Sequence, residues 1–145
     1  MIQVVFPESN FKFKEEGGKP FVFCQIRKIW LVMTEEEWVR QCFVQYLIEI
    51  MHYPASLIAL EKELALNGLK KRFDILVYNG DIKPWMLIEC KAPEVHLDEA
   101  VLHQVLRYQM SIPVPYLVIT NGEQTYGWKN ERSSLQLLET LPAWG

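Results

Sequence analysis

The stretch RFDILVYNGDIKPWMLIECKAP, residues 72–93, constrains this chain more than any other. It is apolar at most positions and reads as two strands joined by a turn, yet Asp74, Glu89 and Lys91 lie inside the strand-like runs. Strand alternation puts Phe73, Ile75 and Val77 on one face of the first strand and Asp74, Leu76 and Tyr78 on the other. In the second strand Glu89 and Lys91 share a face, while Ile88 and Cys90 point the opposite way. With Asn79 facing Pro84 across a four-residue loop, GDIK, Asp74 falls directly opposite Glu89. Like charges so placed repel, and something must offset the repulsion. A hard divalent cation such as Mg²⁺ is suited to the task, because it takes one or two protein carboxylates and completes its shell with water and phosphate oxygens. Lys91 would stand beside that ion as a point charge able to steady an attacking water or a developing phosphorane. The alternative is a plain salt bridge between Lys91 and the acids at a strand end.

The flanking sequence supplies the rest of one domain, 1–145, with residues 1–33 as a β-rich N-terminal extension. Short β-like runs at Phe21–Cys24 and Ile29–Met33, with EEGGKP as a turn before them, read as strands or an extended arm. TEEEWVRQCFVQYLIEIMHYP reads as a helix ended by Pro54, with Val39, Phe43, Tyr46, Leu47 and Ile50 along one face. Thr34 is its expected N-cap, and Glu37 completes a capping box. SLIALEKELALN follows as a strand turning at Gly68, then the hairpin, a helix over about 97–110, and one or two strands, the buried VPYLVITNG with or without TYGWK. That order implies an α/β fold with a mixed sheet flanked by helices.

Composition narrows the function classes. No apolar run approaches the ~18 residues that cross a bilayer, and MIQVVFPESN lacks the basic start and apolar middle of a signal peptide, so a cytoplasmic protein without a membrane partner is expected. Cys24, Cys42 and Cys90 are an odd number, fit no metal-ligand spacing and read as reduced core thiols. The net charge of −3 argues against coating nucleic acid by charge alone. Two basic clusters, Lys70-Lys71-Arg72 and Arg27-Lys28, read as solvated strand ends. His52, His96 and His103 have no Ser or Cys partner at a recognisable spacing. Glu61 and Glu63 share a strand face and read as solvent-facing, with Glu61 able to support a second ion.

Asp74, followed fifteen residues later by Glu89-Cys90-Lys91, resembles the D…ExK core of the PD-(D/E)XK nuclease superfamily. RKIWLVMTEEEWVRQ, YPASLIALEKEL, KKRFDILVYN, LIECKAP, HQVLRY and VITNGE, in that order, are similar to the N-terminal nuclease domain of type I restriction enzyme R subunits, over about Arg27 to Trp128. The departure within these motifs is Glu35 where Pro is common. The resemblance implies a restriction-endonuclease-like central mixed sheet flanked by helices. It further implies Asp74, Glu89 and the Cys90 carbonyl as ligands of Mg²⁺ (with Mn²⁺ as a substitute), Lys91 as the catalytic lysine, and Gln104 with Tyr108 as a QxxxY element facing the ion. Glu36, on the apolar stripe of the first helix, is the candidate acid to complete the metal shell. The expected partners are DNA and a homodimer or larger restriction-type complex. The expected activity is Mg²⁺-dependent hydrolysis of a DNA phosphodiester; the alternative is an inactive nucleic-acid-binding or interaction module of the same fold that needs a partner. These residues hold no Gly-x-x-x-x-Gly-Lys phosphate loop, so translocation is not expected from them.

Overall fold

The apolar hairpin sits at the centre of a six-stranded sheet in the computed structural model, which describes residues 1–132 and 134–145. Three strands come first: β1 (Phe13–Glu16), β2 (Lys19–Cys24) and β3 (Ile29–Val32) form a separate antiparallel sheet in that order. Helix α1 (Glu35–Glu49) follows, then a single 3-10 turn at Ala55–Leu57. The main sheet runs in sequence order through β4 (Ile58–Leu66), β5 (Leu69–Tyr78), β6 (Pro84–Cys90), β7 (Tyr116–Thr120), β8 (Thr125–Glu131) and β9 (Ser134–Leu137). Among the described residues only β6 and β7 pair in parallel, because helix α2 (Glu99–Gln109) carries the chain between them. The fold is thus α/β, with a mixed sheet between two helices, as the segment order implies.

Each face of the sheet has its own core. Beneath α1, Val39, Phe43 and Leu47 pack on Ile75, Val77, Ile88 and Cys90; beneath α2, Val105 and Leu106 pack on Leu76, Leu87, Leu117 and Ile119. The central strands are buried on both sides, which is why β6 and β7 read as near-continuous apolar runs. Each fully buried aliphatic side chain there contributes roughly 1.5–3 kcal/mol relative to exposure. At the β4–β5 turn Asn67 and Gly68 both have positive φ, 51° and 80°, the conformation a two-residue hairpin needs and glycine accepts without strain.

Several local expectations are corrected. α1 ends at Glu49, well before Pro54, because the chain turns left-handed at His52 (φ 58°) and the Tyr53 N–H donates back to the Leu47 carbonyl at 2.9 Å. Ile50 therefore lies past the helix and is exposed. α2 starts two residues later than read, capped by Asp98, whose Oδ1 accepts from the Val101 N–H at 2.9 Å; Leu97 is buried outside it. Half of the α1 capping box forms: Thr34 Oγ1 accepts from the Glu37 N–H at 3.0 Å, but the Glu37 carboxylate turns to Arg40 and Gln41. Phe73 packs with Leu76 and Leu87 on the α2 side, not with Ile75 and Val77. The β4–β5 ladder is irregular at this point: it pairs Leu60 with Ile75 and Lys62 with Phe73 but omits the rung between Glu61 and Asp74, and Glu61 has φ 53°.

Candidate active site

The site forms where β5 and β6 leave the core. The regular β5–β6 pairing runs from Val77 with Met86 to Ile75 with Ile88; just beyond its last rung, Asp74 and Glu89 line one cleft. The loop end differs from the simple hairpin: Tyr78, not Asn79, faces Pro84 across a bulge. Asn79 is drawn into the turn instead, its Oδ1 accepting from the N–H groups of Asp81 (2.9 Å) and Lys83 (3.1 Å). At the other end the Cys90 N–H donates to Asp74 Oδ2 at 2.8 Å, tying the carboxylate to the neighbouring strand.

Asp74 and Glu89 line the same cleft, and each carboxyl acts on the protonation of the other. Burial, then the negative charge of Asp74, pushes Glu89 up to about 8, against the opposing pull of Lys91. Burial also raises Asp74, although the Cys90 N–H and the Arg40 guanidinium act in the other direction. Lys91 Nζ stands 3.6 Å from Glu89 Oε1, beyond hydrogen-bonding distance but within ion-pair range. Its N–H is fixed by the Thr120 carbonyl at 2.8 Å, one strand away.

α1 supplies two more charges. Glu36 projects from the first turn into the same cleft, its carboxyl raised by burial and then by Asp74. Arg40, one turn on, is the residue the sequence pattern does not single out. Its guanidinium pairs with both Glu37 and Glu61 and reaches to 3.7 Å from Asp74 Oδ1, with 12% of its side chain exposed. Burial works against its charge, but hydrogen bonds to Glu37 and Glu61 outweigh that and hold it protonated. The available signal was spacing: Arg40 is four residues from Glu36 and three from Glu37, so it shares their side of the helix. Glu61 corrects the solvent-facing reading, since it lines the cleft between Arg40 and Arg72, whose Nη1 lies 3.8 Å away.

Across the cleft, α2 presents Gln104 and Tyr108. Gln104 is exposed on the wall. The Tyr108 hydroxyl is engaged by the backbone of β5 instead of turning to the carboxylates: it accepts from the Arg72 N–H at 3.0 Å and lies 3.1 Å from the Arg72 carbonyl, to which it donates. Its ring packs edge-on against Phe73, and Lys71 Nζ sits 4.1 Å from the ring centroid. One cleft of about 530 Å³ therefore gathers Glu36, Asp74, Glu89, Lys91, Gln104 and Tyr108, with Glu61 and Arg72 in addition. The Cys90 thiol is wholly buried in the α1-side core, so only its backbone is available to the site. Among the described residues no three His, Cys, Asp or Glu side chains form a metal-binding cluster. Asp74 and Glu89 are carboxylates of the kind that could hold a Mg²⁺ ion, which takes one or two protein carboxylates and completes its shell with other oxygens.

Residues 35–142 match the model of the type I restriction enzyme R protein N terminus. The chain belongs to that family. The match begins at the first residue of α1, takes in every residue of the cleft and runs on through β9, so the family segment comprises the whole main sheet and both helices. It leaves out the β1–β3 sheet. A comparison with curated proteins finds no match. Family membership marks this as a restriction-related, nuclease-like domain. No helix among the described residues is long and apolar enough to cross a membrane.

Proposed function

We propose that the domain is a PD-(D/E)XK-type nuclease that hydrolyses DNA phosphodiesters with Mg²⁺, or Mn²⁺ in its place, held by Asp74, Glu89 and the Cys90 carbonyl, with Glu36 within reach of the shell. The observation that carries the reading is that Asp74 and Glu89 line one cleft at the end of the β5–β6 pairing, with Lys91 3.6 Å from Glu89. Buried carboxyl groups facing each other are unfavourable unless a proton or a cation lies between them, so the fold maintains an arrangement that a divalent ion relieves. When bound, Mg²⁺ supplies Lewis-acid polarisation of a phosphoryl oxygen and lowers the pKa of its water. Lys91 orients the attacking water and stabilises the charge that develops on the phosphate. Glu61 and Glu37 keep Arg40 in place, and Arg40 in turn keeps Asp74 turned toward Glu89. Tyr108 braces β5 and leaves Gln104 as the α2 side chain free to meet a phosphate or Lys91.

Plasmid nicking in Mg²⁺ or Mn²⁺, wild type against Lys91→Ala, tests this. Wild type should nick, and the variant should lose about a hundredfold or more, as expected for a group that acts on transition-state charge. Equal nicking by both proteins would remove Lys91 from the chemistry. A second reading, a non-catalytic DNA-binding module, is favoured by Arg40, a resident cation 3.7 Å from Asp74 that offsets part of the acidic charge without metal. DNA binding by a wild-type protein that never nicks would select it.

A further inference from the structure

The β1–β3 sheet has an outer face unlike that of an ordinary solvated antiparallel sheet, which is polar. Its inner side is anchored: Cys24 is buried in the α1-side core, with Leu31 and Ile26 packed against it, and Val22 is fully buried. Strand register puts Lys14 beside Phe21 and Phe23 beside Trp30 on the opposite side. There the Phe23 and Trp30 rings meet edge-to-face with centroids 5.3 Å apart, and Trp30 is exposed. Lys14 Nζ lies 4.7 Å from the Trp30 centroid and 5.6 Å from that of Phe21, and Lys12 Nζ 6.0 Å from that of Phe23. Glu16 pairs with Lys14 at 2.9 Å from the rim.

Charge separates this sheet from the remainder of the molecule. Residues 11–33 carry Lys12, Lys14, Lys19, Arg27 and Lys28 against Glu15 and Glu16, a net +3 in a chain whose total is −3. A rigid face of aromatic rings interleaved with ammonium groups, set in a locally positive segment, complements a polyanion that also offers flat π surfaces. Unpaired nucleic acid is such a partner: bases stack on the rings while the lysines follow the backbone phosphates. Duplex DNA keeps its bases stacked inside and offers this face phosphates alone. The Phe11 and Phe13 rings, packed on Trp38 of α1, link the sheet to the helix that bears Glu36 and Arg40. We infer that the outer face of the β1–β3 sheet, built on Phe21, Phe23 and Trp30 with Lys12 and Lys14, is a single-stranded nucleic-acid binding surface. It does not require the cleft to be catalytic.

The test is fluorescence anisotropy in EDTA with labelled single-stranded oligothymidylate, oligouridylate of the same length, and a duplex. The expected result is tighter binding of a single strand than of duplex, with Trp30 emission quenched; the two single strands identify the sugar preferred. Trp30→Leu with Phe23→Leu keeps apolar bulk and removes the π faces, and should weaken single-strand binding at least about tenfold. Lys14→Ala should also weaken it and lower the salt dependence by about one ion. Lys62→Ala, an exposed lysine of β4 outside both this face and the cleft, should bind as wild type does. The inference is overturned if single-strand binding is absent, if the double Leu variant binds unchanged while its melting temperature is unaltered, or if the face instead drives self-association that the same substitutions abolish.

Discussion

Arg40 and Glu61 pair across the gap between α1 and β4, and through Arg40 the same guanidinium reaches Glu37 and Asp74. A single cation thus ties the first helix to the strands that carry the acidic site. Glu37, nearly inaccessible, also accepts a hydrogen bond from Gln41 at 3.0 Å, so its carboxylate is committed to this network.

Arg40→Met is expected to destabilise the fold by roughly 3–5 kcal/mol, because it strands the buried Glu37 carboxylate without its partner. Arg40→Lys should recover only part of this, since one ammonium cannot reproduce a fork that holds Glu37 and Glu61 together. Chemical denaturation of the three proteins provides the measurement. A loss under about 1 kcal/mol for Arg40→Met, the value of an exposed pair, would show that the network is solvated in solution.

Glu36 and Glu37 should separate by role. The cap survives Glu37→Ala, because its donor is the Glu37 backbone N–H, but losing the buried pairing with Arg40 should cost several kcal/mol, as for a broken buried pair. Glu36→Ala, which removes a first-turn carboxylate at the edge of the cleft, should cost under about 1 kcal/mol while weakening Mg²⁺ binding or cleavage. Calorimetric melting and a metal titration on both variants distinguish them. Loss of Mg²⁺ binding in Glu37→Ala alone would give the metal role to the residue assigned here to the scaffold.

How far the site can be read from sequence depends on how local its causes are. That Asp74 and Glu89 reach one cleft is legible from the hairpin pairing, a short-range rule, although simple alternation fails beside Asp74, where Phe73 and Ile75 lie in different cores. The pairing survives an error in the loop because the bulge at Tyr78 absorbs the shift before the strands reach Ile75 and Ile88. Arg40 and Glu61 come together over 21 residues through a helix and a kinked strand, and no spacing rule anticipates the positive φ at Glu61 that interrupts the ladder. Tyr108 was legible as a helix-face neighbour of Gln104, but its partner, the Arg72 backbone, lies 36 residues away. The strand SLQL, β9, is a four-residue edge with little periodicity to announce it.

Tyr108→Phe keeps the ring on Phe73 and beneath Lys71 and deletes only the hydroxyl shared with Arg72. The expected cost is about 0.5–1.5 kcal/mol of stability, the net value of a hydrogen bond, with cleavage reduced less than tenfold. A hundredfold loss of cleavage at unchanged stability would move Tyr108 from brace to chemistry.

Asp74→Asn removes the repulsion with Glu89 while its side-chain oxygen can still accept from the Cys90 N–H. Without metal the variant should be at least as stable as wild type, and Mg²⁺ should raise the melting temperature of wild type alone, because a ligand stabilises only the state that binds it. Equal Mg²⁺ stabilisation of both proteins would place the ion elsewhere.

Proton and metal compete for the same pair, and this sets the pH dependence. Glu89 is raised to about 8 by burial and by Asp74, with Asp74 and Glu36 shifted in the same direction. A carboxyl whose folded pKa exceeds its unfolded value binds protons more tightly in the native state. Its contribution is full below the unfolded pKa and is lost as pH rises through the folded one. In EDTA the melting temperature should therefore fall between about pH 5 and pH 8, and Glu89→Gln should flatten that decline. Mg²⁺ affinity should run the opposite way, rising over the same interval as the ion ceases to compete with the proton. Titration calorimetry in buffers of different ionisation enthalpy should detect proton release on binding at pH 6.5 and less at pH 8.5. Metal-free stability that climbs from pH 5 to pH 8 would mean that Asp74 and Glu89 are both ionised and held apart, and the protonated pair would have to be abandoned.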